Sequence, residues 1–216
     1  MPSNFEQGYA LLVGVGECNE VELSLPTTVK DTQAIYKILI DRNLCGYPQD
    51  NISILNNQDA TKSNIVKGLQ WLKEKAESDR NITILIYYSG HGWLNKDDQE
   101  YYLIPHDTNC TKITKSALPA EEFTQGIKDI NCDRLLVIID SCHAAGMTTP
   151  KDTEAKFWKK YEDYQPQSPS KSITSVLSKG KGRVVFTSSQ GEEISWIMKD
   201  QSLSVYTYHQ IGRAHV

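Results

Sequence analysis

The sequence of 216 residues lacks several features that would assign it to a specialised class of protein. No apolar run approaches the roughly 20 residues of a membrane-spanning helix, so we expect no membrane partner. Basic residues are not in excess, because the net charge is -4, and this disfavours nucleic acid as a partner. The N-terminus has neither the basic nor the apolar segment of a signal peptide.

The cysteine pattern is also uninformative for metal binding or cross-linking. The five cysteines are odd in number and contain no C-x-x-C pair, which argues against zinc and against a disulfide framework. We therefore predict no metal site, no cofactor and a location in the reducing cytoplasm. The cysteines are Cys18, Cys45, Cys110, Cys132 and Cys142.

What is present is an ordinary globular composition, with 39% hydrophobic and 23% charged residues. Apolar strand patterns alternate with helical ones, which predicts an α/β fold with a mostly parallel sheet and helices on both faces. We predict one domain over residues 1–210, with a linker rich in Lys, Ser, Pro and Gln at 147–182. Residues 211–216 match one reading frame of a widely used sequencing adapter, so we expect a non-native tail on a truncated domain.

Two strand ends are the most informative feature of the chain. ILIYYSGHG occupies residues 84–92, and LLVIIDSCH occupies residues 135–143. Each begins as an apolar run typical of a buried parallel strand and ends in polar, reactive residues. Because reactive groups in such sheets collect beyond the carboxyl ends of the strands, we expect His91 and Cys142 to lie together. A thiol beside an imidazole indicates a cysteine hydrolase.

The residues around this pair support the same chemistry. Gly90 and Gly92 are expected to let the backbone turn sharply and approach a ligand closely. A turn after Cys142 would lower the thiol pKa. The backbone N–H groups of Gly92 and Cys142 are candidate oxyanion donors. His106 and His143 are rival bases, but neither combines a strand end with flanking glycines.

These motifs resemble those of the caspase-like cysteine peptidases of clan CD. SGHG after one strand and DSCH about 50 residues later carry the resemblance, with YALLVGVG at residue 9, LPTTVKD at 25, YLIP at 102 and TSSQ at 187. The resemblance covers residues 8 to 210. It implies the caspase–haemoglobinase fold, peptidase C14 chemistry of the metacaspase or bacterial orthocaspase type, and a catalytic dyad of His91 and Cys142.

The same resemblance bears on specificity. In metacaspases and orthocaspases, the Asp of Asp-Ser-Cys and a second Asp at the start of the first helix line the S1 pocket, and these match Asp140 and Asp31. Two carboxylates suit a P1 Arg or Lys and would repel Asp. Without the resemblance, Asp31 would be interpreted as an ordinary acid in a first helical turn.

Two alternative functions stay open at this point, together with the questions of calcium, self-cleavage and further domains. The domain could instead be a sensor or scaffold with little turnover, or a clan CD peptidase with another P1 preference. Some metacaspases need calcium, but the acidic candidates here are scattered among lysines and form no recognisable loop. We expect the lysine-rich linker to be a site of self-cleavage, as in a zymogen, and further domains beyond residue 216 are possible. The calcium candidates are Asp152, Glu154, Glu162 and Asp163.

Overall fold

A computed structural model of the chain describes residues 5–95, 99–141, 165–166, 182–188 and 197–212, and everything below refers to these. Nine strands and five helices follow one another in the order β1, α1, β2, α2, β3, β4, β5, α3, β6, α4, β7, β8, β9 and α5. The strands are β1 Gly8–Gly14, β2 Ile52–Asn56, β3 Thr83–Ser89, β4 Gly92–Leu94, β5 Tyr101–Leu103, β6 Leu118–Pro119, β7 Arg134–Asp140, β8 Gln165–Pro166 and β9 Arg183–Thr187. The helices are α1 Thr27–Ile40, α2 Lys62–Ser78, α3 Ile113–Ser116, α4 Ala120–Lys128 and α5 Val205–Ile211.

The central sheet has five strands in the order β2-β1-β3-β7-β9, and every pairing is parallel. Its central strands are continuous apolar runs, because both of their faces are covered. The predicted parallel α/β architecture is therefore confirmed.

Alternate residues of the central strands enter two separate cores. Leu11, Ile86 and Val137 belong to a core that includes side chains of α2 and α4. Leu12 and Tyr87 belong to a second core on the opposite face, which includes side chains of α1 and α5. This alternation follows from the two-residue period of a strand, and it puts helices on both faces of the sheet, as predicted.

A second, antiparallel sheet has the order β6-β5-β4-β8. Its strands β4, β5 and β6 lie in the connection between β3 and β7, where β4 and β5 form a hairpin, and β8 follows β7. Its aromatic side chains are buried, with Trp93 stacked 5.2 Å from Tyr102 between ring centroids. The second sheet therefore adjoins the carboxyl end of β3, where the reactive residues are predicted.

The first turns of α1 and α2 are stabilised in different ways. Thr61 caps α2 by accepting a hydrogen bond from the Asn64 N–H at 3.2 Å. Pro26 occupies the cap position of α1, where no side chain caps the helix. The Thr28 hydroxyl instead donates to the Leu25 carbonyl, which ties the first turn of α1 to the preceding loop. Within the described residues, no helix has the length and apolar character needed to cross a membrane.

Candidate active site

The parallel register of β3 and β7 sets the geometry of the site. Ser89 is paired with Asp140, the last residue of each strand, and the Gly90 N–H donates to the Asp140 carbonyl at 3.3 Å. Two residues beyond these ends, the chain reaches His91 on one side and position 142 on the other. The described residues include Ser141, whereas Cys142 and the rival His143 lie outside them.

His91 is the half of the proposed dyad that lies within the described residues. It is 1% exposed and lies between β3 and β4. Its carbonyl accepts from the Ile104 N–H at 3.1 Å and from the Tyr88 hydroxyl at 3.3 Å. The main chain of His91 is thus fixed to the hairpin on one side and to β3 on the other.

Gly90 and Gly92 flank His91, and neither has a positive φ. At Gly90 a Cβ would lie 3.0 Å from the Tyr88 hydroxyl and 3.1 Å from the Val15 Cβ. A larger residue before the histidine would therefore press against Tyr88 and Val15. The close approach of a ligand to these glycines stays a prediction.

Gly92 begins β4 opposite Leu103. The ladder bond beside this pair runs from the Ile104 N–H to the His91 carbonyl, which makes Gly92 and Leu103 a non-hydrogen-bonded pair. The Gly92 N–H therefore points away from β5. This orientation is compatible with the oxyanion-donor role predicted for it.

Ser141, the last described residue before Cys142, is completely buried and is contacted from the second sheet. The Tyr101 hydroxyl lies 3.2 Å from the Ser141 Oγ, and it also donates to the Ser141 carbonyl at 3.5 Å. Tyr101 itself is 5% exposed. Ser141, the residue before the predicted nucleophile, is therefore bonded by a residue that the sequence patterns did not single out.

Asp31 lies in the second turn of α1 and is 1% exposed. Its Oδ1 accepts from the backbone N–H of Ser204 at 2.9 Å, and its buried Oδ2 has no hydrogen-bond partner among the described residues. Burial raises the pKa of Asp31 to about 7, with a further rise from the charge of Asp140, although the Ser204 hydrogen bond opposes it. The two predicted S1 carboxyls therefore lie close enough to affect each other.

Asp140 is 5% exposed and faces the same side of the sheet as Asp31, since its neighbour Ile139 belongs to the opposite core. Aromatic hydroxyls surround the two acids. Burial, followed by the charge of Asp140, raises the pKa of Tyr206 to about 12. The pKa of Tyr87 is also raised, by burial and then by both acids, and its hydroxyl lies 2.9 Å from the Thr207 hydroxyl.

These C-terminal residues were missed by the sequence analysis as part of the site. Ser204 lies 173 positions from Asp31, so no local pattern links the two. The one available signal was that Ser204 precedes a helical pattern. Its side chain indeed accepts from the Thr207 N–H at 3.0 Å as the cap of α5.

The remaining site predictions concern the rival base His106, metal binding and the linker. His106 has its Nδ1 2.7 Å from the carbonyl of Glu17, three residues beyond the end of β1. Among the described residues no group of three or more His, Cys, Asp or Glu side chains is placed to hold a metal ion. The calcium candidates at 152, 154, 162 and 163 lie outside the described residues, as does all of the 147–182 linker except 165–166 and 182.

Comparison with known proteins identifies the family of the chain. The caspase domain model of peptidase C14 matches residues 7–211. Metacaspase-1 of Schizosaccharomyces pombe is 29% identical over 159 residues, which cover 63% of this chain and 34% of the relative. Metacaspase-4 of Arabidopsis thaliana is 28% identical over 153 residues, covering 64% and 34%. The chain thus spans about a third of the length of these curated relatives.

A solved structure agrees at the level of the fold. The crystal structure of caspase-1 from Spodoptera frugiperda superposes with a TM-score of 0.57 at 15% identity, covering 98% of this chain and 71% of the other. The predicted caspase-like architecture is confirmed by this likeness. Because the family model matches nearly the whole length of the chain, the chain belongs to the caspase-domain family of cysteine peptidases, peptidase C14.

Proposed function

We propose that this domain is a cysteine endopeptidase that cleaves after Arg or Lys. The observation that carries the proposal is the register of β3 and β7, which brings the chain to His91 and Cys142 two residues beyond paired strand ends. A buried histidine at such an edge, with a cysteine at the same offset beyond the neighbouring strand, supports an activated thiol nucleophile.

In the proposed reaction, the Cys142 thiolate attacks the carbonyl carbon of the P1 residue. The N–H groups of Gly92 and Cys142 donate to the oxyanion that forms, each worth roughly 10²–10³ in rate by comparison with known oxyanion donors. His91 protonates the amine as the C–N bond breaks, leaving a thioester on Cys142. Water then hydrolyses the thioester, with His91 accepting the proton from it.

The preference for a basic P1 residue rests on Asp31 and Asp140. Both acids are buried on the α1 and α5 side of the sheet, next to the strand end that leads to the nucleophile. A guanidinium or ammonium group entering between them gains charge-assisted hydrogen bonds, and Arg offers a planar fork suited to carboxylates. A P1 Asp would add a third negative charge and is disfavoured.

The test is hydrolysis of a P1-scanning fluorogenic peptide library by the full chain and by its Cys142→Ala variant. The expected result is cleavage after Arg and Lys that disappears in the variant. Cys45→Ala is the matched control, because Cys45 is a partly exposed thiol remote in sequence from the strand ends. Preference for P1 Asp would contradict the specificity, and persistence of cleavage in Cys142→Ala would contradict the mechanism.

A further inference from the structure

Two buried tyrosines contact the two chain segments that carry the proposed dyad. The Tyr88 hydroxyl donates to the carbonyls of His91 and Ile104, each at 3.3 Å. The Tyr101 hydroxyl lies 3.2 Å from the Ser141 Oγ, next to Cys142 in the chain. Each tyrosine therefore contacts a residue at, or adjacent to, one partner of the dyad.

The surroundings make these contacts rigid. Tyr88 is completely buried, and its ring packs edge-on against Phe123 at 6.1 Å between centroids. Tyr101 is held in β5, whose strand pairs on both sides with β4 and β6. Burial, with a further contribution from Tyr101, holds the pKa of Tyr88 well above its usual range, so the Tyr88 hydroxyl keeps its proton to donate.

The two contacts differ in what they add to the fold. The Tyr88 bond reinforces a position that the Ile104 N–H already fixes, since both groups donate to the same His91 carbonyl. Ser141, by contrast, follows the last residue of β7, where the parallel ladder with β3 ends. At Ser141 the Tyr101 hydroxyl bonds both the side-chain and the main-chain oxygen.

We infer that Tyr101 is a positioning residue for the peptidase reaction, because it fixes Ser141, the residue that precedes Cys142 in the chain. This inference rests on the proposed function, because it takes Cys142 as the nucleophile. Tyr101 does not act on the substrate. A shift of Ser141 is expected to move the thiol relative to the His91 imidazole, and small displacements of reacting groups weaken proton transfer between them.

The experiment compares Tyr101→Phe with the matched control Tyr102→Phe in the full chain. Tyr102 is the next residue of the same strand and is similarly buried, and its hydroxyl donates to Glu100 Oε2 at 2.6 Å. Each variant loses one buried hydroxyl from β5, so a general loosening of the strand affects both. Only Tyr101→Phe removes a bond to Ser141.

The first readout is the pH profile of Cys142 alkylation by iodoacetamide, followed by mass spectrometry of the Cys142 peptide. Loss of one hydrogen bond, of the usual net strength, is expected to raise the apparent pKa of the thiol by roughly half a unit in Tyr101→Phe. The second readout is hydrolysis of an Arg substrate, where kcat falls about three- to tenfold and KM stays within about twofold. Tyr102→Phe is expected to keep the wild-type profile.

Ser141→Ala keeps the inference testable if Tyr101→Phe does not fold, because it removes the Oγ contact from the other side and must shift the same profile. Where both fold, the double variant must show less than the sum of the two single effects. A wild-type profile and kcat in Tyr101→Phe, or an equal change in Tyr102→Phe, would overturn the inference. If wild type alkylates normally but cleaves no Arg or Lys peptide, the proposed function fails instead, and the alkylation profile still decides the role of Tyr101.

Discussion

His91 and Asp31 are each 1% exposed, yet the bonds described for them differ. The main chain of His91 bonds to Ile104 of the adjoining hairpin and to the Tyr88 hydroxyl of β3. The Asp31 carboxyl bonds to the backbone N–H of Ser204, which comes from the far end of the sequence. The position of His91 therefore depends on the contact between β3 and the second sheet, whereas that of Asp31 depends on the contact between α1 and the residue that precedes α5.

This difference teaches that the two halves of the site respond to different perturbations. The position of His91 relies on bonds to its main-chain carbonyl, which a substitution of its side chain leaves intact. The carboxyl side depends on burial, on the charge of a neighbouring acid and on one long-range contact. Chemistry and specificity are therefore expected to be separable by mutation and by pH.

The largest effect is expected on the dyad side. Changing His91→Gln removes the proton donor for the leaving amine while preserving most of the side-chain volume. We expect kcat for an Arg substrate to fall by about 10²–10⁴-fold, the usual contribution of general acid–base catalysis. His106→Gln is the control, because His106 contacts the Glu17 carbonyl instead of the site, and it should retain wild-type kcat. An active His91→Gln enzyme would remove the basis of the mechanism.

A smaller effect is expected on the carboxyl side. Asp140→Ala leaves Asp31 as the only S1 acid, and truncating one partner of a buried charge pair costs about 2–5 kcal/mol. The value of kcat/KM for an Arg substrate should therefore fall roughly 30-fold or more, at tenfold per 1.4 kcal/mol. Glu122→Ala, which breaks an exposed ion pair with Lys62, serves as the control with little change. Equal losses in both variants would show that the effect is not specific to the pocket.

The carboxyl side also predicts a pH dependence of stability. The pKa of Asp31 is raised in the fold from 3.8 to about 7, so between these values the folded state holds a proton that the unfolded chain has lost. Stability is therefore expected to fall as pH rises through this window, by about 2–3 kcal/mol between pH 5 and 7. In Asp31→Asn this loss is absent, so its Tm relative to wild type should rise from pH 5 to pH 8. A constant difference in Tm would contradict the shift.

The smallest effect separates the two functions of Ser204. Ser204→Ala removes the hydroxyl that caps α5 but keeps the backbone N–H that binds Asp31. We expect a loss of about 1 kcal/mol in the free energy of unfolding, typical of a lost cap. The KM for Arg peptides should change less than twofold. A large rise in KM would mean that the pocket depends on the cap as well as on the N–H.

The same contrast explains what the sequence could reveal. The strand ends were predictable because β3 and β7 are apolar runs that end in polar residues, a local pattern that needs no knowledge of packing. Asp31 and Asp140 were assigned only through family resemblance, since neither residue differs locally from an ordinary acid. The structure adds that both are buried and that the charge of Asp140 contributes to the raised pKa of Asp31.

The contributions of Ser204, Tyr206 and Tyr101 were not predictable from the sequence. Each acts across a large separation, 173 positions from Ser204 to Asp31 and 40 from Tyr101 to Ser141. Likewise, the close packing at Gly90 was not predicted, because the Val15 side chain that lies near it follows a different strand. Local patterns identify reactive groups, whereas the residues that hold them are chosen by tertiary packing.

The parallel pairing of β3 and β7 has a consequence for a newly synthesised chain. Parallel strands cannot pair through a tight turn, so β4, β5, β6 and α4 must be made before β7 can join β3. His91 is therefore synthesised 51 residues before Cys142. The proposed dyad cannot assemble on a growing chain until β7 has been made and has joined β3.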